Sequence, residues 1–201
     1  MKRSESVLRE LLFQAVELKN FGFSQLELSK KLGLSLSIIN SVIKRLESMG
    51  AVIISPQGFK IVDSVKILYY WSSLRNLDKD IVFMIRIDSS VSNIEKLMPG
   101  GALFTAFTAY KLKYNDVPSD YSSVFIYADD KTLDVIKSRI SKLKTSVGNP
   151  NFFVLKFDPL LTIYKSIPSS QVFVDLWNIK GWQAKEFFNA LTKRMNLSEA
   201  N

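Results

Sequence analysis

The sequence predicts an α+β protein: an N-terminal winged helix-turn-helix followed by a mixed α/β domain. Two observations carry this. The stretch Ser24–Val62 orders two short amphipathic helices around Gly33, then a Gly-stopped helix that runs into a hairpin. Beyond residue 66 apolar strand-like runs alternate with amphipathic helical patterns, as in an α+β body rather than a helical bundle. The predicted domains are 1–65 and 66–201.

In the first domain Val7, Leu8, Leu11, Leu12, Ala15, Val16 and Leu18 recur at three- and four-residue spacings and define a helix with one apolar face. Ser4 or Ser6 is positioned to cap its start, and Phe21-Gly22-Phe23 ends it. Ser24, with Glu27 three residues on, opens a second helix whose buried side is Leu26, Leu28 and Leu32. Gly33 supplies the turn and Ser35 caps the third helix. There Ile39, Val42, Ile43, Leu46 and Met49 fall on one face, away from Ser37, Asn40, Ser41, Lys44 and Arg45. Gly50 stops this helix, and strands are expected over Ala51–Ser55 and Phe59–Val62 around the turn Pro56-Gln57-Gly58.

In the second domain a connecting helix is expected over Val65–Leu77. Its Tyr69-Tyr70-Trp71 is read as interdomain packing rather than as a base-stacking platform. Strands follow at Ile81–Ile87, Val124–Tyr127 and Phe152–Phe157. Helices follow at Ser92–Leu97, Ala102–Tyr110, Leu133–Leu143 and Trp182–Met195, with Pro99-Gly100-Gly101 as the turn that starts the second of these.

Composition bounds the chemistry. The chain has 201 residues with 47% hydrophobic content, enough for a packed core and against general disorder. It has neither cysteine nor histidine, so disulfides, thiol nucleophiles, Ser–His triads and Cys/His zinc sites are excluded. No apolar run approaches the roughly 18–20 residues of a membrane span, and the first residues do not read as a signal peptide. A cytoplasmic protein with no membrane partner is expected. The formal net charge of +8 favours polyanions through phosphate neutralisation and counterion release. Residues 1–65 carry nine Lys/Arg and six Asp/Glu, a mild surplus.

These features make double-stranded DNA the expected partner. With the third helix in the major groove, Ser35, Ser37, Asn40 and Ser41 approach bases or backbone. Lys44, Arg45 and Lys60 contact phosphates, joined by Lys30 and Lys31 from the second helix.

The run Leu28–Val52 resembles the helix-turn-helix of MarR-type and related prokaryotic winged-helix regulators. It departs from them in its wing, which is short and carries only Lys60 near the tip. Gly100-Gly101-Ala102-Leu103, then Pro118–Tyr127, Gln171–Trp177 and Gly181–Phe188, resemble the nucleotidyltransferase-like domain of AbiEi-type regulators, antitoxins of type IV toxin–antitoxin systems. That resemblance implies a transcriptional autorepressor with a toxin as protein partner, and a closing strand and helix at the C-terminal end. It also implies a degenerate, catalytically silent second domain without a cofactor. A working nucleotidyltransferase has Gly-Ser at a helix start and an Asp-x-Asp pair for magnesium, whereas here Ala102 follows Gly101 and Ser122 stands two residues after Asp120.

Two other functions remain open on the sequence. One is a nucleotidyltransferase using Asp120 and magnesium, with Asp158 or Asp175 as a third carboxylate. The other is a winged-helix module for protein interaction or ligand sensing. Oligomeric state, operator and effector are left open.

Overall fold

The structure is a computed structural model that describes residues 1–195. It is α+β, with nine helices and two small sheets among the described residues.

The chain opens with α1 (Arg3–Glu17), β1 (Gly22–Phe23), α2 (Gln25–Leu32), α3 (Leu36–Ser48), β2 (Val52–Ser55) and β3 (Gly58–Ile61). The strands form an antiparallel sheet in the order β1-β3-β2. β1 is a strand where Phe21-Gly22-Phe23 is expected from sequence only to end the first helix. Gly58 makes its pairing possible. At φ +152°, a Cβ there would lie 2.1 Å from the Phe23 carbonyl oxygen, so only glycine lets the two backbones approach. Phe23 then stacks on Phe59, with ring centroids 5.3 Å apart.

Three expectations in this region are corrected. Lys2, rather than Ser4 or Ser6, is the N-cap of α1, because the Glu5 side chain reaches back to the Lys2 N–H at 2.9 Å. Leu18 follows the last turn of α1 and is exposed, as is Leu26 on α2. Leu28 and Leu32 alone bury α2, since their four-residue spacing already covers its inner stripe.

The second half comprises α4 (Ser64–Leu74), β4 (Ile81–Ile85), α5 (Val91–Leu97), β5 (Leu103–Thr105), α6 (Ala106–Tyr114), β6 (Val124–Ala128), α7 (Asp130–Ile140), β7 (Phe152–Lys156), α8 (Ser169–Asn178) and α9 (Trp182–Arg194). Four strands pair in the order β4-β7-β6-β5, with only β6 and β7 parallel. β6 is buried throughout, and its side chains alternate between two layers. Val124, Ile126 and Ala128 meet Ile94 of α5 and Leu133, Ile136 and Ile140 of α7. Phe125 and Tyr127 face the cluster that contains Phe107, Phe173 and Phe187 of α6, α8 and α9.

Two further expectations change here. The segment expected as a helix from Ala102 is first a strand: Leu103–Thr105 pairs with Phe125–Tyr127, and α6 starts only at Ala106, whose φ is +50°. Gly100 and Gly101 therefore precede a strand and do not open a helix. Gln171–Trp177, expected as a closing strand, lies within α8. Its side chains from Ser169 to Leu176 are all buried, so the apolar Val172-Phe173-Val174 reads as readily as a strand, and only the four-residue step from Gln171 to Asp175, joined at 3.1 Å, marks the helix.

α1 packs on α3, α4 and α8, and one apolar cluster continues from α1–α3 through α4 to α6, α8 and α9. A buried polar network lies in the same place. Trp71 Nε1 donates to Glu5 at 3.1 Å, and Arg9 donates to Asp158 at 2.6 Å. Arg75 reaches both Asp80 and Asp175, and Asp175 also accepts from Thr105 at 2.7 Å and Tyr127 at 2.6 Å. Burial and the field of Asp175 push the Tyr127 hydroxyl well above its ordinary range, so it stays a donor. Such a network contributes little net stability over an apolar core, but it specifies how α1, α4 and α8 must meet. No helix among the described residues is long and apolar enough to cross a membrane.

Candidate nucleic-acid interface

The α2–α3 unit is fixed by local chemistry. Ser24 Oγ accepts from the Glu27 N–H at 3.5 Å and starts α2. Gly33, at φ +61°, ends it in the left-handed conformation. Ser29 Oγ donates to the Leu34 carbonyl at 2.6 Å and ties the turn to α2. Ser35 Oγ then accepts from the Ile38 N–H at 3.4 Å and starts α3.

Ile39, Val42, Ile43 and Leu46 bury the inner side of α3. Ser37, Ser41 and Lys44 are exposed on the other side. Their four- and three-residue steps put them on one outward stripe along the axis. Asn40 is half-buried at the margin of this stripe. Arg45 flanks it on the opposite margin, with its guanidinium carbon 5.9 Å from the centre of the Tyr70 ring.

The remaining expected residues divide. Lys30 is exposed at the end of α2, and Lys60 is exposed on β3 opposite Ile53 and Gly22. The ammonium of Lys31 is committed to Glu10 at 2.6 Å. Glu10 is fully buried and also accepts from Tyr164 at 2.9 Å and Gln14 at 2.8 Å. That arrangement makes Lys31 a link between α2 and α1 rather than a free cation. Ser35 is likewise engaged as a cap. Lys44 and Arg45 have no carboxylate within salt-bridge distance among the described residues, which leaves the stripe and one flank as an exposed, positively charged helix face.

Tyr70 was not singled out from the sequence as part of this surface. Its neighbour Trp71 is fully buried, in line with the packing role expected of the aromatic run, but Tyr70 turns towards α3. The available signal was the one-residue step along α4, which swings a side chain through about 100°.

The carboxylates considered for nucleotidyl transfer occupy three different settings. Asp120 is exposed in the loop before β6. Asp158 holds Arg9 and caps the 3-10 turn Pro159–Ile163 through the Leu160 N–H at 3.1 Å. Asp175 is fully buried against Arg75, Thr105 and Tyr127. Among the described residues no group of three acidic side chains is close enough to hold a metal ion.

No protein-family model, curated protein or solved structure matches the chain.

Proposed function

We propose that this protein is a double-stranded DNA-binding regulator that sets α3 into the major groove. The observation that carries the reading is the outward face of α3, with Ser37, Ser41 and Lys44 exposed in one line beside Arg45. The order helix, strand, two helices and hairpin supports a winged helix, and a helix so capped and presented has the docking geometry of a recognition helix. Hydroxyls on such a helix suit base edges or phosphate oxygens, and the two cations suit phosphates. Lys60 and Lys30 extend the positive surface along β3 and α2.

The second half has the character of a protein-contact or scaffolding body in this reading. Autorepression and a toxin partner form its narrower version, and a nucleotidyltransferase toxin encoded beside this gene would support it. Nucleotidyl transfer through Asp120 lacks support, because Asp158 and Asp175 are already occupied by Arg9 and Arg75.

Selection of bound fragments from sheared genomic DNA tests the function without guessing the site. The reading predicts enrichment of a small set of duplex segments, lost in the Lys44→Ala/Arg45→Ala double variant. Recovery equal to background for the unaltered protein would overturn it.

A further inference from the structure

We infer that α4 belongs to the nucleic-acid interface: the groove between α3 and α4 receives one sugar–phosphate strand, and Tyr70 positions Arg45 against it. The inference rests on the DNA-binding reading and extends it to a surface outside the helix-turn-helix. The groove has a volume of about 480 Å³. Ser41, Lys44 and Arg45 line it from α3, and Tyr70 and Leu74 from α4. Ser4 stands at the start of α1, and the buried Leu8 and Val42 lie at the base.

Charge selects the occupant. The lining holds two cations and no carboxylate. An apolar peptide or a second copy of the apolar face would leave those cations facing it unpaired, whereas a phosphodiester strand neutralises them. Position selects the same occupant. The groove adjoins the Ser41–Arg45 margin of the outward stripe of α3, where the backbone bordering a major groove runs when a helix lies in it.

Tyr70 decides how Arg45 is presented. With the guanidinium held over the ring at 5.9 Å, the long side chain loses freedom before binding, and its planar fork remains available for a phosphate. Tyr70 is thus a positioning residue. Its ring carries the role, and its hydroxyl is not needed.

The test is fluorescence anisotropy with the full-length protein and a short random-sequence duplex, titrated between about 50 and 200 mM salt. Arg45→Ala is expected to lower the slope of log affinity against log salt by about 0.9. Arg45→Lys should keep the slope and lose affinity, because the charge stays while the fork is lost. Tyr70→Phe should behave as the unaltered protein. Tyr70→Leu should weaken binding about two- to fivefold with little change of slope, and should have no further effect once Arg45 is Ala.

Three results overturn the inference. One is an unchanged slope in Arg45→Ala. Another is an equal penalty from Tyr70→Leu with and without Arg45, which would mark Tyr70 as merely structural. The third is absence of duplex binding by the unaltered protein, which removes the DNA reading as well. Duplex binding lost in Lys44→Ala but indifferent to Arg45 and Tyr70 keeps that reading and removes only the groove.

Discussion

Arg75 Nε donates to Asp175 Oδ1 at 3.2 Å, joining two side chains a hundred residues apart in sequence, both almost completely withdrawn from solvent. The same guanidinium bonds Asp80 and donates to the Tyr127 hydroxyl at 3.1 Å. It is the point at which α4, α8 and the four-stranded sheet are held together. Burial works against its charge, yet the fields of Tyr127 and Asp175 and the bond to Asp80 leave its pKa raised, so it is cationic at every working pH.

Removing Arg75 leaves the fully buried Asp175 without a cation and Asp80 with the terminal ammonium alone. Arg75→Ala is therefore predicted to cost about 3–5 kcal/mol, the range for breaking a buried pair from one side. Urea unfolding measures this as a lower midpoint at unchanged slope. Asp175→Asn should also destabilise, because an amide oxygen that still accepts from Thr105 and Tyr127 leaves its NH2 facing the Arg75 and Gln171 donors.

Asp80 makes stability depend on acid. Burial alone would raise its pKa, but the bond from Arg75 and the terminal ammonium 2.8 Å away hold it below the ordinary value. A depressed carboxylate contributes stability above its unfolded pKa of about 3.9, and the contribution fades as pH falls through the folded value. The unaltered protein should thus exceed Asp80→Asn in unfolding midpoint at neutral pH. The gap should close below about pH 4 as the carboxyl protonates. A gap that persists in acid would place the stabilisation elsewhere.

Gly58 is predicted to be intolerant. In Gly58→Ala the new methyl would meet the Phe23 carbonyl, and φ +152° is itself strained for an L side chain. A loss of at least about 2 kcal/mol is expected. Amide exchange at Ile61, whose N–H bonds the Phe21 carbonyl at 2.8 Å, should speed up locally as β1 detaches.

Lys31 and Lys44 should separate stability from binding, although both are lysines of the α2–α3 unit. Lys31→Ala leaves the buried Glu10 without its cation, and since the Lys31 side chain is 44% exposed the cost should be modest, about 1 kcal/mol. Its salt slope should not change. Lys44→Ala should leave thermal stability within about 0.5 kcal/mol and lower the salt slope by about 0.9.

The sequence was most legible where a periodic pattern coincided with a cap. Ser24, Gly33 and Ser35 delimit α2 and α3 because one oxygen or one left-handed residue decides each boundary. It was least legible where burial thinned the pattern. In Gln171–Trp177 the helical signal is only the four-residue step from Gln171 to Asp175, and Leu103–Thr105 is too short to be read as a strand without its partner β6. At the candidate interface the type and spacing of Ser37, Ser41 and Lys44 were visible in sequence. That Glu10 captures Lys31 and Tyr70 meets Arg45 was not, since each contact is made by a residue more than twenty positions away.

In the proposed function α3 presents its cations to a DNA backbone. Duplex-binding titrations across salt compare the unaltered protein with Lys44→Ala/Arg45→Ala. Salt-sensitive binding is expected of the unaltered protein, with a slope reduced by about 1.8 in the double variant. Binding that is absent at low salt, or equally salt-sensitive in both proteins, would contradict it.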